Sequence, residues 1–380
     1  AKEAEDMTMT HRERILAAIR KQPTDCLPWG LRIDYWYKAN AKAGTLPSKY
    51  QGWNMWDIIR DIGAGIQAHH GVIHREELRN LEVVTHQKGR EKITEYITPI
   101  GTVSTTMVST QRLEETDTRP YEKEKMFKRV EDYPVIEYMV ENAAIVPAYD
   151  EFAKEDREVG NDGVVVGRMG ASPMQRIMKD IMGFERFFYE LNDNPDKVEH
   201  LFQVLLEQGR KIAKVAVESP AELIQSCSNF VDVIHTPPIF EKYFVPWFQE
   251  VAELFHANGK LLQTHIDGEM RRLLPVFSKT GIDVAEAFSP PPMTSCTATD
   301  LKKAWGDKIT IWGGVATQLF ADPYSDKDFD EYVISLFKEI APGYNFIVGV
   351  GDNVPVAAKV DRLRRVTELI DKYGKLPMSF

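Results

Sequence analysis

From about residue 162 to the C-terminus, short runs of β-branched and apolar residues alternate with longer stretches whose apolar positions recur every three or four residues. The runs are 163–168, 222–227, 260–265, 283–288, 308–312 and 345–349, and such alternation predicts parallel strands joined by helices. Asn194 and Pro195 open one helix, with an N-cap and a proline at its first position, and its Val198, Leu201, Phe202 and Leu205 share a face. Ser325 with Asp328 marks another helix start ahead of Tyr332, Ile334, Leu336 and Phe337. A last helix over 356–373 stops at Gly374, with Pro377 beyond. Upstream the pattern is less regular. Thr10 and Glu13 form a capping box before Ile15, Leu16 and Ile19, predicting a helix that acts as a lid or end plug. Segment 27–33 reads as a strand and 63–67 as a weaker one. Segment 92–110, broken by Pro99 and Gly101, reads as a hairpin decorating something larger.

Six runs after residue 160 and two before it make eight strands. Eight suggests an α/β fold, a single (β/α)8 TIM barrel over 1–380, with a helical N-terminal extension at 1–25 and a hairpin insertion at 92–110. An open doubly wound sheet is the alternative. No Pro/Gly/Ser-rich linker divides the chain, which favours one domain.

Composition narrows the partners. With 47 Lys and Arg against 57 Asp and Glu, the net charge is −10, so no basic field exists to hold a nucleic-acid backbone. The cysteines at 26, 227 and 296 are odd in number and far apart, which suits reduced thiols in a cytoplasm. No export signal or membrane span is expected, because no apolar run approaches the ~20 residues that cross a bilayer.

In a parallel barrel, reactive groups gather where the strands end. The segment QTHIDGE puts Gln263, His265 and Asp267 on one side of a strand and its continuation. His265 and Asp267 can therefore be two metal ligands, or a hydrogen-bonded imidazole and a helix-capping carboxylate. Glu286 ends the next apolar run, where an unpaired carboxylate would cost several kcal/mol. Adjacent strand ends lie only about 5 Å apart, so His265 and Glu286 can converge on one ion. Glu250, 15 positions before His265 on the helix feeding that strand, is either a third ligand or a solvated helix residue. Two carboxylates and an imidazole would make a hard zinc site with an open position. His69, His70 and His74 could be ligands, although three histidines on a polar stretch are more often surface or pocket-rim residues. Trp29 and Trp36 near the first strand suggest walls of an aromatic substrate pocket, or plain core packing. No GxGxxG, P-loop or GxSxG occurs, so nucleotide-dependent transfer and serine-triad hydrolysis have no support.

From about residue 163 onward the chain resembles the uroporphyrinogen decarboxylase superfamily. The likeness runs in order through GASPMQRIMKDIMGFERFFYELNDNPDKVEHLF, PPIFEKYFVPWFQEVAELFHANGKLLQTHIDG and GIDVAEAFSPPPMTSCTATDLKKAWGDKITIWGGV. It implies a (β/α)8 barrel. The decarboxylase branch carries R-x-x-G-R-Y after the first strand and an F-S-D-I-like strand. LPWGLRIDYWY keeps only Arg32 of the first, and GAGIQAHHGVIH lacks the second.

The other branch comprises corrinoid-dependent methyltransferases. Members acting on coenzyme M bind zinc through H-x-C and a later Cys; here Asp267 stands in place of the first thiolate, and FIVGVGDN replaces the second. The resemblance then favours the O-demethylase type, which takes methyl from phenyl methyl ethers. It implies zinc on Glu250, His265 and Glu286, with Asp267 as a candidate proton donor. The methyl acceptor would be cobalamin on a partner corrinoid protein, because the chain has no D-x-H-x-x-G cobalamin sequence. The expected substrate is a small aromatic methyl ether. A homodimer remains open, as do a tetrapyrrole decarboxylase and a non-catalytic corrinoid or tetrapyrrole carrier.

Overall fold

The computed structural model describes residues 8–116, 118–227 and 229–380. Residues 1–7 of the expected helical extension lie outside them. The described chain resolves into two compact units, one of residues 1–71, 150–168 and 221–380, the other of 72–149 and 169–220.

The first unit is built on eight strands in the order β1 (Gly30–Leu31), β2 (Gly65–Val72), β3 (Gly163–Ala171), β4 (Leu223–Cys227), β5 (Leu261–His265), β6 (Val284–Phe288), β7 (Thr310–Val315) and β8 (Phe346–Val350). A parallel bridge from Trp29 to Val348 brings β1 beside β8 and closes the ring. All eight strands fall on or beside the runs read from the sequence, and the fold is a (β/α)8 barrel.

The helix His11–Ile19 begins at the expected capping box, with Thr10 and Glu13 bonding reciprocally. Its Ile15, Leu16, Ala18 and Ile19 pack against Val164, Val166, Leu223, Leu261, Val284, Trp312 and Ile347, so it plugs one end of the barrel. That cluster also fixes which residues point inward. Because strand residues alternate faces, Arg168, Gln225, Cys227, Gln263, His265 and Glu286 point inward above it. Trp312 needs room there: a Cβ on Gly30 would fall 2.2 Å from its Cζ2, and one on Gly349 2.8 Å from its Cδ1.

A bulge interrupts the pairing of β6 with β7 between Glu286 and Phe288. Ala287 there takes φ +62°, a left-handed conformation that L-residues other than Gly, Asn and Asp rarely adopt. Bulges of this kind recur next to functional sites, and this one follows Glu286 directly along the strand.

The helix Asp326–Ile340 starts at the expected Ser325–Asp328 box. Asn194 corrects an expectation: it makes no cap bond, its amide donating instead to Glu190 Oε2 at 2.9 Å. Pro195 still opens the helix, whose Val198, Leu201, Phe202 and Leu205 are buried. The final helix begins at Val360, later than expected.

In the second unit, the expected hairpin is the middle pair, Glu91–Thr98 and Gly101–Val108, of a four-stranded antiparallel sheet completed by Glu82–Lys88 and Tyr121–Glu124. A second antiparallel pair joins His74–Leu78 to Ala143–Pro147. No helix among the described residues is long and apolar enough to cross a membrane.

Candidate metal centre

The register of β5 and β6 sets His265 directly beside Glu286, and their side chains meet, His265 Nδ1 lying 2.6 Å from Glu286 Oε2. Glu286 is only 2% exposed, and its other oxygen accepts from Gln67 Nε2 at 3.0 Å. Gln67 stands on β2, four strands away around the ring, so this bond crosses the barrel interior. Two positions further along the same face of β2, His69 comes within 5.9 Å of the His265 ring, centroid to centroid. Ligating atoms of His69, His265 and Glu286 all lie within 4.8 Å of one another.

On its other edge, His265 Nε2 is 3.6 Å from both Asp267 Oδ2 and Asp352 Oδ1. These three form a second group with metal-ligand spacing. Asp352 also accepts from Arg32 Nη2 at 2.9 Å, and Asp267 from Asn229 Nδ2 at 3.0 Å.

Electrostatics separates the two imidazoles. Burial opposes charge on His265, but the Glu286 carboxylate, aided by hydrogen bonds to Asp267 and Glu286, outweighs it and raises the pKa to about 10. Burial likewise opposes charge on Glu286, yet the facing His265 holds its carboxyl well below the usual range. His69 is driven the other way. Burial, reinforced by the Arg32 charge, keeps it neutral, which is the form that binds a metal. Its Nδ1 is buried with no hydrogen-bond partner among the described residues, and a buried nitrogen in that state is costly without a donor or an ion.

The remaining expected residues lie elsewhere. Glu250 is exposed on the helix Val245–Ala257 and belongs to neither group. That helix precedes β5 and runs outside the barrel, so sequence proximity to His265 does not become spatial proximity. Trp29 and Trp36 are core residues, 3% and 2% exposed. Trp36 Nε1 donates to Ala358 O at 3.2 Å. Trp29 pairs with Val348, which alternates with inward-facing Ile347 and Gly349, so its ring turns away from the interior. Both indoles are core residues, the second of the two readings the sequence offered for them.

His69 was weighed as a possible ligand but rated a rim residue, and Asp352 was missed. His69 follows Gly65 and Gln67 at two-residue spacing, a signal that would have extended the weak strand at 63–67 to its real end at Val72. Asp352 lies just beyond β8 in GDN, two residues past Val350, the place matched to the second cysteine of the thiolate members.

Residues 98–373 match the family model for uroporphyrinogen decarboxylase (URO-D). The chain belongs to the URO-D family. Among solved structures, this URO-D barrel is similar to a methyltransferase from Methanosarcina mazei, at 14% identity and a TM-score of 0.58, over 96% of this chain and 99% of that one. Lesser overlaps occur with the Rubisco of Pyrococcus horikoshii (9% identity, TM-score 0.32, 62% of this chain and 46% of that one). The spore cortex-lytic enzyme SleL of Bacillus megaterium is comparable (12%, 0.34, 59% and 63%). At these identities the likeness is one of fold. No curated protein sequence matches the URO-D chain.

Proposed function

We propose that this URO-D family member is a zinc-dependent methyltransferase that moves the methyl group of a phenyl methyl ether to the cob(I)alamin of a partner corrinoid protein. The observation that carries the reading is the buried His69–His265–Glu286 group: two imidazoles and a carboxylate, without sulfur, at the mouth end of a URO-D barrel. Such donors suit a divalent zinc ion better than they suit tetrapyrrole decarboxylation, which needs no metal ligands. The full-length fold likeness to a methyltransferase points the same way.

The donor set fits the ion. His69 takes the third place expected of Glu250, since its neutral, partnerless Nδ1 is what a ligand presents before its metal binds. Zinc held by these oxygen and nitrogen donors would supply Lewis acidity to an ether oxygen, a hard and weakly basic atom.

The chain's own groups then have distinct tasks. Gln67 orients Glu286, and Glu286 orients His265. When the methyl carbon leaves the ether oxygen for the corrinoid, the electron pair of the broken bond stays on the phenolate. Asp267, held by Asn229, stands on the mouth side of His265, where it would relay a proton from solvent to that oxygen.

A second reading places the ion on the opposite edge of His265, with Asp267 and Asp352, because Nε2 is equidistant from both. Glu286 would then only orient the imidazole. Metal analysis separates the two. On the main reading, wild-type protein holds about one zinc per chain, lost in His265→Ala, Glu286→Ala and His69→Ala but kept in Asp352→Asn. Retention in His69→Ala with loss in Asp352→Asn transfers the site to the other edge. Full occupancy in all four variants overturns both.

A further inference from the structure

The second unit holds a cavity of about 700 Å3 that the methyl-transfer reading leaves without a task. It is walled by the four-stranded sheet and by the helix Asp132–Glu141, and every described residue lining it belongs to that unit. Packed layers seldom leave space of this size, which falls in the range of small-molecule sites.

The sheet turns a polar face toward this space. Strand residues alternate faces, and where an antiparallel sheet packs on helices its apolar set belongs on the covered side. Here the strand Glu91–Thr98 presents Lys92, Thr94 and Tyr96 to the cavity and sends Ile93 and Ile97 to the other face, where Ile97 is 37% exposed. The neighbouring strand sets Thr105 opposite Thr94 and Met107 opposite Lys92, and both line the cavity. Hydroxyls and an ammonium therefore stand where packing alone calls for isoleucine and valine.

Another wall is the π-helix Arg176–Ile181, a rare form that frequently marks functional sites. It brings Arg176, Lys179 and Asp180 to the cavity. Among the described residues, five cations and three carboxylates line the space, an excess of positive charge within a chain whose net charge is −10. Two of the cations are matched, Arg176 with Glu76 at 3.5 Å and Lys125 with Glu122. Lys92, Arg119 and Lys179 have no carboxylate within ion-pair distance among the described residues. Asp180 has no cation within that distance either, and burial raises its pKa, which favours the neutral acid, a hydrogen-bond donor. Elsewhere the lining is apolar, with Leu78, Met107, Met139 and Ile181, and methionine adapts to irregular apolar shapes.

We propose that this cavity binds an organic anion, whose apolar body lies on those side chains and whose phosphate or carboxylate head is held by Lys92, Arg119 and Lys179. The site shares no residue with the metal centre and stands whether or not the methyl-transfer reading does. Unmatched cations gathered around one space repel each other, and an anionic head group relieves that repulsion.

The test titrates the full chain by calorimetry with octyl phosphate, octanoate, octanol and inorganic phosphate. Octyl phosphate or octanoate should bind about tenfold or more tightly than octanol, which lacks the head, and than inorganic phosphate, which lacks the body. The tighter of the two names the head group. Lys92→Gln, Arg119→Gln and Lys179→Gln combined, all at exposed positions, should weaken that anion roughly ten- to a hundredfold, the range of lost bonds to a charge, and leave octanol unchanged. Thr105→Trp, which fills the space, should remove binding of both octyl anions. Octanol or inorganic phosphate binding as tightly as both octyl anions overturns the proposal, a result that needs no variant to fold. Anion binding fully retained in the triple variant also overturns it, since the anion then sits elsewhere on the chain.

Discussion

At the residue scale, the account turns on an imidazole and a carboxylate buried together. In the metal-free protein His265 is held charged by Glu286, with its pKa raised from 6.5 to about 10. A raised pKa means that this pair's contribution to stability is complete below about pH 6.5 and is lost as pH climbs through about 10. Glu286 is depressed, so its contribution is present above its ordinary value of 4.5 and lost as pH falls toward its lowered one. The metal-free wild type should therefore show its largest thermal-stability advantage over Glu286→Gln between about pH 4.5 and pH 6.5. The advantage should shrink on both sides, as followed by unfolding midpoints across the pH range. A difference constant with pH contradicts the ion pair. Zinc must displace the proton from His265 to bind it, so metal uptake should release a proton and strengthen as pH rises.

His265 and Glu286 were legible from the sequence because each ends an apolar run, where a charged group needs a reason. His69 was less legible. The interior of a barrel mouth is polar, so the strand bearing Gln67 and His69 does not register as apolar, and only its two-residue spacing betrays it. Glu250 misled because distance along a chain says nothing about which side of a barrel a helix covers. The two tryptophans misled because large aromatic rings near a first strand serve core packing as readily as a pocket.

The elements explain why the site is held so closely. The β6 bulge stores a left-handed Ala287, and Gly313 opposite it takes φ +143°, where a Cβ would fall 2.6 Å from Phe288 N. A β-branched side chain cannot adopt the Ala287 conformation without strain. Ala287→Val should cost roughly 1–3 kcal/mol and also weaken metal retention, because the strain falls on the residue next to Glu286 in the chain. Denaturant unfolding and metal analysis on one sample decide it, and loss of stability with full metal occupancy would separate the bulge from the site. At the plugged end, Gly30→Ala would drive a methyl into Trp312 and should destabilise by about 1–3 kcal/mol without altering metal content. The eight strands could be read from the sequence because helices separate them, and the barrel buries both faces of each. The four-stranded antiparallel sheet of the second unit was only half read, as a hairpin: Glu82–Lys88 and Tyr121–Glu124 are largely exposed and lack the apolar alternation that marked the central pair.

For the whole molecule, the barrel supplies the scaffold common to the URO-D family, and the chemistry depends on what stands at the strand ends. Among the described residues, the groups with metal-ligand spacing at those ends hold histidines and carboxylates and no cysteine. A net charge of −10 leaves an acidic surface. Zinc removal should thus abolish methyl transfer without unfolding the barrel, since the core cluster around Trp312 does not involve the ligands; circular dichroism and activity before and after chelation check this.

The most direct test follows the methyl group itself. The zinc-loaded protein is mixed with a methoxyarene carrying a deuterated methyl group and with a corrinoid protein reduced to cob(I)alamin. The account predicts deuterated methylcobalamin and the free phenol in equal amounts, both lost on zinc removal or in His265→Ala. Transfer that persists without metal, or a zinc-loaded protein that moves no label while decarboxylating a tetrapyrrole, would contradict it.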